Sequence, residues 1–144
     1  MRFELMYESF FKILKGVPLT LEVVFISTLL GFGLAIIVAL MRISDNKLYS
    51  VPAYSFIYLI RGTPLLLQLY FVYYGISQFS FVRESFLWPI LREPFWCGII
   101  TLTISTGAYS AEIIRGGIQS VSQGYIESGK ALGLGRISLF FRVV

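Results

Sequence analysis

Long runs of apolar residues without a charge dominate the pattern along this chain. One such run is Val23–Met41, and another is Pro94–Ala111. At about 1.5 Å per residue, helices of this length approach the roughly 30 Å hydrocarbon thickness of a bilayer. Because Pro18 suits the first turn of a helix, we extend the first helix back to residue 17. The pattern therefore predicts membrane-spanning helices over about 17–41 and about 94–111.

Small and hydroxyl-bearing residues indicate where these two helices pack. Gly31, Gly33 and Ala35 predict a surface for close approach of another helix. Hydroxyl groups in the later run can donate to carbonyl groups of their own helix, so packing is the simplest interpretation of them. The hydroxyl-bearing residues of that run are Thr101, Thr103, Ser105 and Thr106.

The middle of the chain has an apolar stretch that a charge and a proline interrupt. Uncharged residues lie on both sides of the segment Arg61-Gly62-Thr63-Pro64. Proline disfavours helical conformation at the residue before it, and arginine is costly at the centre of a bilayer. We therefore predict an interfacial or buried helix over 49–60 and a second span over about 64–78. Gln68 is predicted to form a helix–helix hydrogen bond, with a place on a transport pathway as the alternative.

The last part of the chain is more polar and has its own helical pattern. Ser120 and Gln123, three residues apart, have the spacing of a capping box. This spacing predicts a helix that begins at Ser120 and extends towards Leu132. Gly133 and Gly135 are predicted to end that helix with a sharp turn. Apolar residues then follow at helical spacing, which predicts a second amphipathic helix that runs to the last residue. These residues are Ile137, Phe140, Phe141 and Val144.

The composition indicates an integral membrane protein and excludes several kinds of enzyme. Apolar residues make up 56% of the chain and charged residues 14%, against about 45–50% and about 25% in soluble domains. The sequence has no histidine, which excludes Ser-His-Asp and Cys-His catalysis and zinc sites of the histidine type. The single cysteine, Cys97, cannot form a disulfide within the chain and is predicted to be a small buried side chain. We expect neither an enzyme nor a metal site.

The positive charges favour membrane orientation over nucleic-acid binding. The net charge is +4, but the basic residues lie at the edges of apolar runs rather than in one patch. With the amino terminus outside, seven basic residues fall on the inner side. These are Arg42, Lys47, Arg61, Arg115, Lys130, Arg136 and Arg142. Five fall outside, namely Arg2, Lys12, Lys15, Arg83 and Arg92. This weak preference places the helix–glycine–helix segment, about 120–144, in the cytoplasm, where it would dock a partner.

One stretch of that segment resembles a known signature. Glu127-Ser128-Gly129, followed by Gly133, resembles the EAA-xxx-G signature of ABC importer permeases. Glu127 and Gly133 match in register, and Val143 falls where the family has isoleucine. Ser128 and Gly129 replace the two alanines of the signature. Gly129 inside a helix costs about 1 kcal/mol relative to alanine.

Three further stretches narrow the resemblance. Gly16–Leu21 looks like the start of the first core helix in permeases of polar amino acid importers. Arg61–Gln68 resembles their Arg-Gly-Thr-Pro stretch, and Gly107–Val121 is close to their Gly-Ala-Tyr-x-Ala-Glu-x-x-Arg-Gly-Gly-Ile-Gln-Ser-Val. With these four elements in order, the chain is identified as a member of the histidine/glutamine/arginine/opine branch of type I ABC importer permeases.

The resemblance implies a fold and a set of partners. The fold would be an all-α integral membrane domain over 16–144, preceded by an amphipathic segment over 1–15. Three spans and a cytoplasmic coupling helix–turn–helix would form the front part of a five-helix permease. Its partners would be a cytoplasmic ATPase, an extracytoplasmic amino-acid-binding protein, a second permease subunit and the lipid of a bacterial inner membrane, with no nucleic acid. ATP would be bound by the ATPase, and the permease itself would need no cofactor.

The resemblance also implies roles for particular residues. Coupling to the ATPase would fall to Glu127, Ser128, Gly129 and Gly133. A gating or structural role is implied for Arg61, Gly62, Thr63, Pro64, Glu112, Arg115 and Gly116. As charges at the edges of spans, Arg61 and Glu112 fit either structural anchoring or contact with a transported molecule.

Two questions stay open at this point. The chain stops at Val144, just before the Leu-Pro that completes the family signature, and two further spans would be expected after it. A fragment, an interrupted reading frame and a functional short form all fit that observation. The alternative function is a transport-inactive small membrane protein that only docks to a transporter complex.

Overall fold

The structure, a computed structural model, is helical over nearly all of the residues it describes, which are 2–143. Side-chain surroundings are described for 7–135 and 137–142. The helices are α1 (Arg2–Leu14), α2 (Val17–Ile43), α3 (Lys47–Arg61), α4 (Leu65–Tyr70), α5 (Ser80–Arg83), α6 (Trp88–Leu91), α7 (Pro94–Ser120), α8 (Gln123–Ala131) and α9 (Arg136–Val143). A π-helical turn (Phe71–Gly75) and a 3-10 turn (Ile76–Gln78) continue α4.

The core of the fold is a close contact between α2 and α7. A Cβ atom added to Gly31 would lie 2.8 Å from the Thr106 Cβ, and one added to Gly107 would lie 2.7 Å from the Leu34 Cδ2. The next turns of both helices continue the contact with buried alanines. We call this contact the small-residue seam: Gly31, Ala35 and Ala39 on α2, with Thr106, Gly107 and Ala111 on α7. Small side chains allow two helix backbones to approach closely inside a membrane.

Only part of the predicted packing surface belongs to this seam. Gly31 and Ala35 are buried, as predicted. Gly33 is exposed, and a Cβ atom added to it would meet nothing within 4 Å. The prediction for Gly33 was therefore wrong, because residues two positions apart lie on different faces of a helix. The hydroxyl of Thr101 donates to the carbonyl oxygen of Cys97 at 2.7 Å, which is the predicted bond within the helix.

The seam makes α2 and α7 parallel, since contacts move forward along both helices together, from Gly31 with Thr106 to Leu34 with Gly107. The chain between two parallel spans must return across the bilayer. The return path is bent: Lys47–Arg61 and Leu65–Gln78 meet at 104°. The predicted interruption at Arg61–Pro64 is this bend.

Up to three spans follow from helix length and hydropathy. Within residues 2–143, Tyr7–Ile43 and Pro94–Ser120 are long and apolar enough to cross a membrane. The bent pair makes a third if its two helices count as one span. The helix that contains the third predicted span continues beyond 111, because Glu112, Arg115 and Gln119 pair with one another along α7 rather than ending it.

The carboxyl-terminal helices are joined by a glycine turn. Gly133 has a φ of +75°, and its N–H donates to the Lys130 carbonyl. The N–H of Leu134 donates to the Gly129 carbonyl, which completes a Schellman motif at the end of α8. The predicted glycine turn is therefore present. We call α8, this turn and α9 the coupling hairpin. Its last predicted position, Val144, lies outside the described residues.

The predicted start of α8 was wrong by two residues. Ser122, not Ser120, is the residue that precedes the first turn, and its side chain forms no capping hydrogen bond. Ser120 instead ends α7, and its hydroxyl donates to the Gly117 carbonyl at 2.7 Å. The capping-box spacing failed because the preceding helix extends through Ser120, where the serine is already used within that helix.

Candidate functional site

A cavity of about 400 Å³ lies where α2, α3 and α7 meet. It is at the end of the small-residue seam that follows Ala39 and Ala111 along the two helices. Charged and aromatic side chains line it, namely Arg42, Tyr54, Tyr58, Arg61, Tyr109 and Glu112. We call it the arginine cavity. It brings together Arg61 and Glu112, two residues that the sequence singled out from separate motifs.

Both arginines of the cavity lie over tyrosine rings. The guanidinium carbon of Arg42 is 5.0 Å from the centroid of the Tyr54 ring. That of Arg61 is 5.4 Å from the centroid of the Tyr109 ring. Such cation–π contacts are worth about 0.5–1 kcal/mol at exposed sites and more when water is excluded. They hold the two positive charges at the cavity, where Glu112 also lies but forms no ion pair within 4 Å with either arginine.

Arg42 is also tied to α3. Its Nη1 donates to the Ser50 hydroxyl oxygen at 3.2 Å, and the Ser50 hydroxyl donates to the Arg42 carbonyl oxygen at 3.2 Å. Asn46 caps the start of α3, because its side-chain oxygen accepts from the Leu48 N–H at 2.9 Å. These bonds fix the tight connection between α2 and α3, and so the position of Arg42 relative to the tyrosines of α3.

Glu112 is paired on its own helix. Arg115 Nε donates to Glu112 Oε1 at 2.9 Å, and Arg115 Nη2 donates to the same oxygen. Arg115 Nη1 donates to Gln119 Oε1. The two side chains of the ion pair are about one-quarter exposed, at 27% for Glu112 and 24% for Arg115. The pair neutralises the carboxylate, so the charge left at the cavity comes from Arg42 and Arg61.

The Arg-Gly-Thr-Pro stretch forms the corner between α3 and α4. Gly62 fits tightly there, since an added Cβ atom would lie 2.9 Å from the Tyr58 carbonyl oxygen. The Gln68 Nε2 reaches back to this corner. It donates to the carbonyl oxygens of Ile60 (2.7 Å) and Thr63 (3.0 Å) and lies 2.9 Å from Thr63 Oγ1. The helix–helix hydrogen bond predicted for Gln68 is therefore the one that closes the bend.

The corner also borders an apolar groove of about 500 Å³ on the α4 side. Residues of α3, α4, the π-helical turn after α4, and α7 line it, among them Leu59, Leu67, Phe71 and Ile104. Gln68 Oε1 is buried and has no hydrogen-bond donor among the residues that the structure describes. The end of α3 thus lies between a positively charged cavity and an apolar groove.

The coupling residues lie apart from the arginine cavity. Glu127 and Ser128 are exposed on α8, whereas Gly129 is buried. The Ser128 hydroxyl donates to the Gly124 carbonyl at 2.7 Å. Large apolar side chains of the coupling hairpin are also exposed, including Leu132 and Phe141, each at 81%. Gly116, the last of the motif positions, is exposed on α7, and a Cβ atom added to it would meet no side chain or other element within 4 Å.

Sequence reasoning did not predict four charged or aromatic residues of the cavity as site residues: Arg42, Tyr54, Tyr58 and Tyr109. Part of the signal was present, because Tyr54, Tyr58 and Arg61 follow the i, i+4, i+7 spacing of one helix face. Their convergence with Arg42 and Tyr109 depends on the packing of three helices, which no local spacing reveals.

Comparison with known proteins decides the family. Residues 31–144 match the family described as the binding-protein-dependent transport system inner membrane component. The chain belongs to this family. The match covers the small-residue seam, the corner, the arginine cavity and the coupling hairpin.

Individual relatives are amino acid and opine permeases. The nopaline transport system permease protein NocM of Agrobacterium fabrum is 50% identical over the whole of this chain and 60% of its own length. The octopine transport system permease protein OccM of Rhizobium radiobacter is 48% identical over 96% of this chain and 57% of its own. The histidine/lysine/arginine/ornithine permease HisM of Escherichia coli K12 is 36% identical over 87% of this chain and 53% of its own. The chain thus spans well under two thirds of these relatives.

A solved structure supports the same assignment. The crystal structure of an amino acid ABC transporter with histidines matches with a TM-score of 0.72 and 34% identity, over 94% of this chain and 63% of that one. The predicted resemblance to amino acid and opine permeases, the all-helical membrane fold and the inner-membrane family are confirmed. The relatives are transport permeases rather than enzymes.

Proposed function

We propose that this chain forms part of the membrane pathway of an ATP-driven importer of polar amino acids or opines. The observation that carries the proposal is the 50% identity with the nopaline permease over the whole chain. The compared region includes every motif, from the first core helix to the coupling hairpin, because it covers the whole chain. The proposed partners are a cytoplasmic ATPase, an extracytoplasmic binding protein and a second permease subunit, with ATP bound only by the ATPase.

In this proposal the coupling hairpin is the docking site for the ATPase. Its exposed surface combines the carboxylate of Glu127 and the hydroxyl of Ser128 with the apolar side chains of Tyr125 and Leu132. Exposed apolar groups next to a charge are typical of a surface that a partner covers. Gly133 supports this role because its positive φ sets the angle between α8 and α9.

Motion at the hairpin has a short route into the membrane. Only Val121 and Ser122 separate α7 from α8, and α7 is packed against α2 along the small-residue seam. Two closely packed helices move as a unit, because the packed contact between them does not deform continuously. A displacement of α8 by the ATPase would therefore carry α7 and α2 with it, and the corner at Gly62–Pro64 would absorb the change. This sequence of events is alternating access driven from the cytoplasmic side.

Uptake measurements test the proposal. The chain would be expressed in cells that lack the nopaline and octopine permeases similar to it and the basic amino acid permeases, but contain the ATPase, the binding protein and the second permease subunit of the nopaline or octopine system. One version would be the 144-residue chain, and a second would carry the remaining carboxyl-terminal part of the nopaline permease after Val144. We expect the extended chain to take up labelled nopaline, octopine, arginine or histidine. No uptake of any of the four, in cells where the intact nopaline permease is active, would contradict the proposal.

The docking role has a separate test. A cysteine at Ser128 should cross-link to the ATPase in membranes, whereas a cysteine at Gly33, which faces away from the seam on α2, should not. Cross-linking without uptake from the extended chain would favour a protein that docks but does not transport. Labelling of the Ser128 position only from outside the cell would contradict both its cytoplasmic location and its coupling role.

A further inference from the structure

The arginine cavity lies at the level where the apolar parts of two spans end. Arg42 directly follows the uncharged run of α2, and Glu112 directly follows the uncharged run of α7. Because α2 and α7 are parallel and packed along their length, these two positions lie at the same end of the pair. This end is the boundary between hydrocarbon and headgroups, where lipid phosphates lie. We propose that the arginine cavity binds the phosphate of an anionic membrane lipid in that leaflet.

The charges of the cavity favour an anion. Arg42, Arg61 and Arg115 face a single carboxylate, Glu112. That carboxylate is already bound by Arg115 through two N–H groups on one oxygen. The remaining two guanidinium groups share the cavity with Glu112 but form no ion pair within 4 Å with any carboxylate of residues 7–135. A phosphate group would supply the missing negative charge.

Both guanidinium groups retain hydrogen-bond donors. A guanidinium has five N–H donors. In the described part of the chain, Arg42 uses one of them on Ser50 and Arg61 uses none. The contacts of these arginines with Tyr54 and Tyr109 engage their charge without occupying a donor. Arginine binds phosphate oxygens with paired N–H groups, so the free donors match this ligand.

The surroundings of the cavity favour a lipid over a soluble phosphate. Tyr58 is 67% exposed at the cavity, and tyrosine rings are enriched at the level of the headgroups. The same end of α3 borders the apolar groove lined by Leu59, Leu67 and Phe71. A ligand with a phosphate and a hydrocarbon chain fits both surfaces. Basic pockets between spanning helices on the cytoplasmic side are known to bind anionic headgroups.

Photochemical labelling tests the proposal with the 144-residue chain. The chain would be reconstituted in phosphatidylcholine vesicles that contain a trace of photoactivatable phosphatidylglycerol, or of photoactivatable phosphatidylcholine for comparison. We expect phosphatidylglycerol to label peptides of α3 more strongly than phosphatidylcholine does. R42Q and R61Q should each lower this labelling about fivefold, the factor that one basic residue contributes near an anionic membrane surface. The matched control is R83Q with R92Q, which removes two positive charges before α7 and should leave the labelling of α3 unchanged.

Competition with the unmodified chain gives a readout that does not depend on the folding of variants. Unlabelled phosphatidylglycerol in the vesicles should displace the probe, whereas inorganic phosphate and glycerol phosphate in the buffer should not. If inorganic phosphate or glycerol phosphate displaced the probe as effectively as phosphatidylglycerol does, the cavity would be a phosphate site and the lipid assignment would be overturned. Equal labelling of α3 by the two lipids, or full labelling of R42Q/R61Q with unchanged helicity by circular dichroism, would overturn the proposal.

Discussion

The small-residue seam and the coupling hairpin differ in what holds each in place. The alanines of the seam, Ala35, Ala39 and Ala111, are fully buried. In the hairpin, Leu132 and Phe141 are 81% exposed, and Glu127 and Ser128 also face outwards. The seam is completed by the chain itself, through close contact of two helices. The hairpin obtains its shape from one local turn and leaves its surface exposed. Changes to the seam should therefore damage the fold, whereas changes to the hairpin should mainly affect its local geometry and its contact with the proposed ATPase partner.

The largest expected effect is at the seam. In Gly31→Ala the new methyl group would lie 2.8 Å from the Thr106 Cβ and 3.1 Å from the Thr103 carbonyl oxygen. We expect a loss of about 1–3 kcal/mol in the free energy of unfolding, as for other overpacked cores. Unfolding of the purified chain in detergent, followed by circular dichroism, would measure it.

The matched control for this prediction is two residues away. Gly33→Ala places its methyl group in open space, and alanine is favoured over glycine inside a helix by up to about 1 kcal/mol. This variant should be neutral or more stable. If the two variants were equally stable, the seam would not be the contact that holds α2 on α7.

The next effect concerns the turn of the hairpin. Gly133→Ala forces a side chain into left-handed backbone conformation, which costs about 1–2 kcal/mol. Because this strain is confined to the turn, we expect the backbone amides at positions 133 and 134 to lose protection from hydrogen exchange. The amides of α2 and α7 should keep their protection. Gly135→Ala is the control, since Gly135 does not have a positive φ. Loss of protection across α7 in Gly133→Ala would show that the hairpin and the seam are not independent.

A smaller effect should appear at the corner between α3 and α4. Gln68→Ala removes the donor that serves the Thr63 carbonyl oxygen, whereas the Ile60 carbonyl oxygen keeps the Thr63 hydroxyl as a donor. One half-buried carbonyl left without its donor costs on the order of 1 kcal/mol. Gln78→Ala loses only a bond of 3.4 Å at an exposed position and should change stability by less than about 0.5 kcal/mol. The same unfolding experiment compares them, and equal losses would mean that Gln68 does not hold the bend.

The smallest expected effect is at the ion pair of α7. Glu112→Gln weakens the contact with Arg115, which is about one-quarter exposed. Pairs of this kind contribute up to about 1 kcal/mol, so we expect a loss below that value. Glu93→Gln breaks a more exposed pair with Arg92, at 3.7 Å, and should have no measurable effect. A loss of several kcal/mol in Glu112→Gln would show that the pair is a structural anchor of the arginine cavity.

The features that the sequence predicted correctly depend on local properties. Uncharged length predicted the helices that contain the spans, and proline predicted the bend at Pro64. Glycine predicted the turn at Gly133. The family motifs singled out residues of the corner and of the hairpin, and the gating and coupling roles of these residues stay predictions.

The features it missed depend on neighbours that are distant in the chain. Gly33 and Gly31 are both glycines in the same apolar run, but only Gly31 contacts Thr106. The capping spacing at Ser120 is correct in isolation and fails because α7 has not yet ended there. The arginine cavity needs α2, α3 and α7 in place before Arg42, Arg61 and Glu112 lie together. Pairing of this kind is set by the packing of helices, for which the spacing within one helix gives no signal.

The parallel arrangement of α2 and α7 also has a consequence for biogenesis. Helix α2 ends at Ile43 and α7 begins only at Pro94, so a ribosome adding about 5–20 residues per second needs on the order of several seconds between them. During that interval the face of α2 that contacts α7 lacks that partner, although α3, whose Ala53 and Ile57 share a buried cluster with Ala35 and Ala39, has already been made. Another membrane segment with small residues can occupy that face, including the α2 of a second nascent chain. Correct assembly of this protein therefore depends on the speed of translation relative to encounters within the membrane, as well as on the stability of the finished fold.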